Sequence, residues 1–420
     1  MSNPQNLARR LGTFDAVVIG LGSMIGAGVF AAFTPAAQAA GSGLLIGLAV
    51  AAVVAYCNAI SSAQLAAAYP TSGGTYIYGR ERLGQWPGFL AGWGFVVGKV
   101  ASSAAMAMTF AAYAAPAGWE RPVAIGAVVL LAAVNYRGIS RTAAMARIIV
   151  FLVLAALALA ITAAWVGTGS STVSIRGEGL LSHGWYGIAQ SAGLLFFAFA
   201  GYARIATLGE EVRDPRRTIP RAILLSLAIA AALYAVIAVT LLSILGPDGV
   251  ASSAAPLAQA VASGGWSWAV PVVRFGAALA SLGALLALIA GLGRTSLAMA
   301  REGDFPRYFA AIHPKFQVPH RAELALGAAI VAIIAMADLR GAIGFSSFGV
   351  LVYYLVANLA ALTQAGADRR YPKFLQLLGA AACVVLVATL PLEAVLAGLL
   401  MFAGGISYRL IRQRRTTLRP

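Results

Sequence analysis

The chain has 420 residues, of which 60% are hydrophobic and only 10% are charged. Soluble domains are about 45–50% apolar and about 25% charged, so this composition excludes an ordinary soluble protein. The apolar runs are continuous, which excludes an outer-membrane barrel, because barrel strands alternate apolar and polar residues. The sequence therefore predicts an all-α polytopic membrane protein. The net charge of +16 would suggest a nucleic-acid partner in a soluble protein, but here it must first be weighed against topology.

About twelve transmembrane helices are predicted, because each crossing needs about 20 mainly apolar residues. Apolar runs bounded by Pro, Gly and charged residues give the predicted spans 14–38, 43–68, 87–115, 121–136, 146–166, 185–208, 221–245, 266–298, 322–338, 341–363, 374–391 and 392–410. The short connections between them leave no room for a sizeable soluble domain.

Lysine and arginine are distributed unequally between the two sides of this topology. Twenty-three lie on the side of both termini, and only Arg121, Arg176 and Arg340 lie on the other. Cytoplasmic loops carry an excess of these residues, so we expect both termini to be cytoplasmic and the protein to lie in the cytoplasmic membrane. The positive net charge is then a consequence of topology, and we expect no nucleic-acid partner.

Three glycines, Gly22, Gly26 and Gly28, lie in the middle of the first span. Glycine destabilises a helix interior by about 1 kcal/mol relative to alanine. A broken backbone at membrane depth is tolerated where it is buried in protein or lines a cavity. Two interpretations stay open. Gly22 and Gly26 could form a Gly-x-x-x-Gly packing motif, or the segment could be unwound and bind a substrate.

The sixth span has a corresponding feature, with Gly201 at mid-depth among small residues. Interrupted hydrophobic segments at matching positions of two halves indicate the binding site of an inverted-repeat transporter. The N-terminus of a half-helix presents free N–H groups to a carboxylate, and unwound carbonyls can accept hydrogen bonds from an ammonium group. Two broken helices that cross therefore suit a zwitterion.

These motifs resemble those of amino acid permeases in the amino acid–polyamine–organocation superfamily. The stretch from Gly22 to Phe30 resembles the first-helix signature, and Phe196 to Gly201 followed by Glu210 to Arg221 resembles the sixth helix and its loop. Two further stretches, Tyr69 to Tyr76 and Arg294 to Pro314, follow in the order of the family.

The resemblance implies a LeuT-type 5+5 inverted repeat with discontinuous first and sixth helices and two C-terminal helices. The first five-helix repeat would cover 14–166, the second, inverted repeat 185–363, and the two additional transmembrane helices 374–410. Residues 1–13 and 411–420 would be cytoplasmic tails, the second of them basic.

The resemblance also implies where the substrate binds. The backbone of the first helix would hold the carboxylate, carbonyls of the sixth helix would hold the amine, and Phe197 or Phe199 would be an aromatic gate unless it only packs in the core. The expected substrate-binding residues are Ser23, Met24, Ile25, Gly26, Ala27, Gly28, Phe197, Ala198, Phe199, Ala200 and Gly201.

The chain departs from the family at positions that bear on coupling. Many relatives carry glutamate two residues after the sixth-helix glycine and lysine in the fifth helix, where this chain has Ala203 and Val153. The eighth helix, over 282–292, lacks the hydroxyl pair of sodium-coupled relatives, which disfavours sodium because a hard cation needs oxygen ligands.

Lys99 is the chain's own candidate for coupling. It lies twelve residues after Pro87, roughly 18 Å along a helix and near the middle of the bilayer. A lysine at that depth is costly and indicates a function. The alternative is a structural cation held by carbonyls of a broken helix. Arg204 and Tyr202 are further candidates for coupling or gating.

The sequence predicts a secondary active transporter of amino acids that works by alternating access and is proton-linked or an exchanger. Its partners would be an amino acid or related amine, protons and the lipid bilayer. An exchanger of polyamines or cationic amino acids is the alternative within transport, ranked lower because Lys99 would repel such substrates. A permease-like membrane sensor would need an output domain, and tails of about 12 residues are too short for one. We expect no enzyme, cofactor or metal site, because the spans lack a nucleophile–base pair, metal motif or nucleotide loop.

Overall fold

The computed structural model describes residues 11–26, 28–70, 73–137, 143–167 and 179–417. The α-helices in this part of the chain are α1 (Thr13–Ile25), α2 (Gly28–Ala31), α3 (Phe33–Ala40), α4 (Leu44–Ala68), α5 (Gly74–Leu83), α6 (Gln85–Ala114), α7 (Glu120–Tyr136), α8 (Ala143–Gly167), α9 (Gly184–Phe199), α10 (Ala203–Ala206), α11 (Pro215–Ser252), α12 (Pro256–Ser263), α13 (Val270–Arg301), α14 (His320–Met336), α15 (Leu339–Leu362), α16 (Lys373–Thr389) and α17 (Leu392–Thr417).

Nine helical segments among the described residues are long and apolar enough to cross a membrane, so the protein is a multi-pass membrane protein. The remaining predicted spans correspond to α7, α14 and α16, which have 17 residues each. That length lies at the lower limit for a crossing. The count of twelve and the LeuT-type repeat therefore stay predictions.

Both helices that the sequence predicted to be broken are interrupted. Helix α1 ends at Ile25, Gly26 has non-helical dihedral angles, and α2 begins at Gly28. Helix α9 ends at Phe199 and continues as a 3₁₀ turn over Ala200–Tyr202 before α10. In lipid such backbone must be surrounded by protein or line a cavity, and both breaks are buried inside the bundle.

Several helix boundaries differ from the prediction. The predicted span 221–245 begins after Pro220, but α11 begins at Pro215 and includes Pro220 in its second turn. Proline removes an N–H from the helix, and the Arg370 side chain donates instead to the carbonyl of Arg216. Helix α17 continues to Thr417, seven residues beyond the predicted end of the last span at residue 410.

Helix α5 lies outside every predicted span. Its ten residues contain Arg80, Glu81 and Arg82, so it lacks the long apolar run by which membrane crossings are detected. Gly84, with φ 99°, follows the last residue of α5, and α6 begins at the next residue. A left-handed conformation of this kind is easily adopted by glycine. This sharp connection places α5 at the end of the bundle where α6 begins.

Candidate functional site

The two interrupted helices touch each other through glycine. A Cβ atom at Gly28 would lie 2.6 Å from the Cα of Ala198, and one at Gly201 would overlap the carbonyl of Ser23. No side chain fits at either point, so the two backbones approach directly. The small residues in both breaks therefore have a packing reason, and this close approach places the free backbone groups of both breaks side by side.

Tyr234, on α11, bridges the two breaks. Its hydroxyl lies 2.7 Å from the carbonyl oxygen of Met24 and 3.0 Å from that of Ala198. A tyrosine hydroxyl has one proton to donate, so the two carbonyls share it. Sequence analysis missed this residue. The signal available was a tyrosine inside an apolar span, because a buried tyrosine hydroxyl usually has a hydrogen-bond partner.

A cavity of about 880 Å³ lies beside the breaks. It extends from the middle of α6 to the loop that follows α10 and to the start of α5. Its lining residues are Leu11, Ser23, Gly73, Tyr76, Ile77, Phe95, Lys99, Ser102, Met106, Phe197, Ala200, Gly201, Ala203, Arg204, Thr207, Glu210, Glu211, Ala284, Ala287, Leu288, Gly291, Leu292, Arg294, Thr295 and Ala298.

The predicted site residues fall into two groups around this cavity. Those that line it are Ser23, Lys99, Phe197, Ala200, Gly201 and Arg204. Those that are buried in or near the breaks without lining it are Met24, Ile25, Gly26, Gly28, Ala198, Phe199 and Tyr202. Ala27 lies outside the described residues. The cavity thus reaches one edge of each break.

Gly26 does not line the cavity. A Cβ atom there would meet the Cβ of Ala284 on α13. With Gly22, Val150 and Val153 it borders a small apolar gap between α1, α8 and α13. Gly26 therefore has a packing role whatever its part in binding. Val153 occupies the position where the family resemblance would place a lysine, and this gap holds no charge.

The two candidate aromatic gates have different surroundings. Phe197 borders the cavity. Phe199 is fully buried and packs against Tyr234, with ring centroids 5.1 Å apart. Of the two, Phe197 is placed to contact a bound molecule.

Lys99 reaches the sixth-helix break from α6. Its side chain is buried, with the residue 6% exposed, and Nζ lies 3.4 Å from the carbonyl oxygen of Ala200. The ammonium group also lies 6.0 Å from the centre of the Phe95 ring. No ion pair within the described ranges includes Lys99. Lys99 is therefore a buried cation at the wall of a cavity, next to one carbonyl group and one aromatic ring.

Tyrosines complete the surroundings of this carbonyl. The Tyr354 hydroxyl, from α15, also donates to the carbonyl of Ala200, at 3.4 Å. Tyr202 packs on Tyr354 with ring centroids 5.2 Å apart and is fully buried. Tyr202 therefore packs behind the break, whereas Lys99 and Tyr354 are the groups that hold its carbonyl.

The other charged groups of the cavity lie towards the loop after α10. Arg204 donates to the Thr207 hydroxyl at 3.3 Å, and Glu210, Glu211 and Arg294 line the same end. Asp15, near the start of α1, pairs with Arg147 at 3.4 Å. The cavity thus has one cation on α6 and a mixed set of charges towards its far end.

A second polar centre is built around the loop after α13, and of its four residues only Tyr76 lines the cavity. Asp304 accepts hydrogen bonds from the Arg80 guanidinium group at 2.9 Å and from the Tyr76 hydroxyl at 2.8 Å, and it forms an ion pair with the Arg409 guanidinium group at 2.9 Å. Burial and the Asp304 carboxylate raise the pKa of Tyr76 above its ordinary value, so this hydroxyl keeps its proton and remains a donor. We name these four residues the Asp304 cluster. It joins α5, α17 and the loop after α13.

Metal binding has no support in this part of the chain. Among the described residues, no group of three or more His, Cys, Asp and Glu side chains could hold a metal ion.

Comparisons with known proteins give a matching family model and several relatives. The family model for amino acid permeases matches residues 11–405. An uncharacterized transporter of Mycobacterium tuberculosis is 59% identical over 404 residues, which cover 96% of this chain and 91% of that protein. The family and these relatives are transporters and not enzymes.

Two more distant relatives have named substrates. A chloroplastic cationic amino acid transporter of Arabidopsis thaliana is 29% identical and is matched over 84% of this chain and 65% of its own length. A branched-chain amino acid permease of Bacillus subtilis is 26% identical and is matched over 86% of this chain and 82% of its own length.

Proposed function

Because the chain belongs to the amino acid permease family, we propose that it is a secondary active transporter that moves amino acids across the cytoplasmic membrane. The observation that carries this proposal is the cavity of about 880 Å³ beside two interrupted helices. The space is of the size that binds small molecules. Its wall includes the backbone of both breaks at Ser23 and Gly201, where a zwitterion would find donors and acceptors together.

Each break would bind one charged group of the zwitterion. N–H groups of the predicted stretch Ser23 to Gly28 would bind the carboxylate, and the structure supports Gly28 for this, because it begins α2 and its N–H has no partner within that helix. The carbonyls between Phe197 and Ala200 would bind the amine. The carbonyl of Ala200 already accepts hydrogen bonds from Lys99 and Tyr354, which use both of its lone pairs, so the amine would bind the carbonyls nearer Phe197.

Alternating access would expose this site to one side at a time. The cavity extends towards the loop that holds Glu210 and Glu211. At the other end the breaks are covered by contacts: Tyr113 donates to the carbonyl of Phe30, and Thr34 donates to the carbonyl of Ser253. We assign this arrangement to an inward-facing state. The two moving halves would be the repeats 14–166 and 185–363, followed by the pair of helices in 374–410.

The proposed orientation gives a direct test. With 23 lysine and arginine residues on one side of the predicted topology and 3 on the other, both termini face the cytoplasm. Reporter tags fused to either end should be inaccessible to a membrane-impermeant label in intact cells. Labelling of either terminus from outside would contradict the twelve-span topology.

Coupling is assigned to Lys99. A lysine removed from water releases its proton more readily. Lys99 borders a cavity that would open to alternate sides, so its neutral amine would take up a proton on one side and the resulting ammonium group would release it on the other. The chain is then a proton-linked transporter or an exchanger.

Polyamine or cationic amino acid exchange is the second candidate. It is favoured by the relative named as a cationic amino acid transporter and by Glu210 and Glu211 in the cavity wall. Lys99 opposes it, because its ammonium group would repel a second buried cation. We therefore place neutral amino acids before cationic ones. A permease-like sensor is the alternative of a different class, and it predicts binding without transport.

Uptake into proteoliposomes separates these candidates. Purified protein should take up at least one labelled amino acid in a saturable manner, compared with protein-free vesicles. Labelled putrescine and spermidine should enter no faster than in those control vesicles. Binding of an amino acid without any uptake or exchange would replace the transporter with the sensor.

A further inference from the structure

Lys99 is a buried cation for which the chain supplies no counter-ion among the described residues. Five ion pairs are found in this part of the structure, and none includes Lys99. An isolated charge is expensive to bury unless it is paired and hydrogen-bonded. The carbonyl of Ala200 at 3.4 Å and the ring of Phe95 at 6.0 Å offset only part of that cost. A buried cation without a counter-ion on the cavity wall indicates that the ligand of this cavity carries a negative charge.

The other charges of the cavity do not serve as that anion. Glu210 and Glu211 line the cavity at the loop after α10, together with Arg204 and Arg294, which balance their charge. Neither glutamate forms an ion pair with Lys99 in the structure. The part of the cavity next to α6 is therefore positively charged.

Lys99 lines the cavity, and two of its donors have no hydrogen-bond partner among the described residues. An ammonium group has three N–H donors. One is taken by the carbonyl of Ala200. The same face of α6 presents Phe95, Ser102 and Met106 to the cavity, since these residues are four positions before, three after and seven after Lys99. A ligand that lies along this face meets one cation among apolar and hydroxyl groups.

We propose that Lys99 binds the side-chain carboxylate of an acidic amino acid, so that the site selects L-glutamate or L-aspartate over aliphatic and cationic amino acids. This inference rests on the proposed function, because it assigns the substrate's side chain to the same site. The backbone of the two breaks would hold the α-carboxylate and α-amine, and the face of α6 would hold the side chain.

The pairing would also link substrate to proton. A carboxylate on Lys99 stabilises the ammonium form, and by reciprocity a protonated Lys99 strengthens carboxylate binding. An acidic substrate and the lysine proton would therefore bind together and leave together. Arg204, Arg294, Glu210 and Glu211 also line this cavity, so their charges contribute to the field around the site.

Homo-exchange in proteoliposomes tests the assignment, because exchange does not depend on return of the empty carrier. Vesicles preloaded with L-glutamate, L-leucine or L-arginine would receive the same amino acid in labelled form. For the wild type we expect an apparent affinity for L-glutamate about tenfold or more higher than that for L-arginine. Lys99→Met should lower the L-glutamate affinity by about tenfold or more and leave L-leucine exchange in place. Lys99→Arg should keep the preference for L-glutamate.

A matched control uses the same substitution elsewhere. Lys315→Met removes an exposed loop lysine that does not line the cavity, so it should leave the L-glutamate affinity unchanged. An equal loss of L-glutamate and L-leucine exchange in Lys99→Met would overturn the proposal, and so would wild-type exchange of L-leucine without L-glutamate. In the latter case the proposed transport function would stand. Exchange of no amino acid by folded wild-type protein would refute that function itself.

Discussion

Lys99 and Asp304 are both buried charges, but their surroundings are opposite. Asp304 is 5% exposed and has two arginines and a tyrosine hydroxyl within 2.9 Å. Lys99 is 6% exposed and has one carbonyl at 3.4 Å. The chain provides the partners of Asp304 from two separate helices, α5 and α17, whereas it leaves Lys99 at the wall of the cavity. The contrast separates a charge that joins helices from one that lines a cavity.

The position of each charge explains the difference. The Asp304 cluster ties α5 and α17 to the loop after α13, and Arg412 adds hydrogen bonds to the carbonyls of Gly303 and Phe305. A buried ion pair is expensive to break, because the remaining partner is left uncompensated. Lys99 has no such partner in the described chain, so its removal leaves no opposite charge behind.

The largest expected effect on stability is therefore at Asp304. Asp304→Asn should lower the free energy of unfolding by about 3–5 kcal/mol, because Arg80 and Arg409 would lose their shared carboxylate. Thermal unfolding of the purified protein in detergent measures the loss. A variant as stable as the wild type would show that the cluster does not hold these segments together.

A smaller loss of stability is expected at Tyr234, the neutral donor between the two breaks. Tyr234→Phe removes the hydroxyl that lies 2.7 Å from the carbonyl of Met24 and 3.0 Å from that of Ala198. Leaving buried acceptors without a partner should cost about 1–3 kcal/mol. The same thermal unfolding measures it, and substrate affinity should fall with stability because the two breaks are held together here. An unchanged affinity would mean that this bridge does not shape the site.

The smallest loss of stability is expected at Glu302, which lies beside the Asp304 cluster and pairs with one of its arginines. Glu302 pairs with Arg80 at 3.1 Å, but its side chain is 53% exposed. Exposed ion pairs contribute about 0–1 kcal/mol, so Glu302→Gln should change stability by no more than that. Together with Asp304→Asn it compares two carboxylates that share one arginine. Equal losses from both would contradict the role assigned to burial.

The sequence was informative where a residue type conflicts with its surroundings. Glycines in the middle of an apolar span predicted both interruptions, and a lysine at mid-span predicted a cavity-facing charge. Each signal is local, because the cost of glycine in a helix or of lysine in a membrane does not depend on distant residues.

Contacts between distant segments could not be predicted in this way. Tyr234 reaches Met24 and Ala198 from another helix, and the partners of Asp304 come from α5 and α17. Neither arrangement has a periodicity or a spacing that marks it in one sequence. Gly26 is a further example. Its sequence context fits both a substrate-binding glycine and a packing glycine, and its contact with Ala284 is known only once the neighbouring helix is placed.

Net uptake of the preferred amino acid across a pH series, in wild type and Lys99→Met, tests the central claim most directly. Lys99 is assigned as the proton carrier, so wild-type uptake should change with pH and with an imposed pH gradient. Lys99→Met should lose net uptake or retain uptake that is insensitive to pH, while exchange continues, because exchange does not require the empty carrier to reorient. Wild-type pH dependence that survives in Lys99→Met would contradict the assignment.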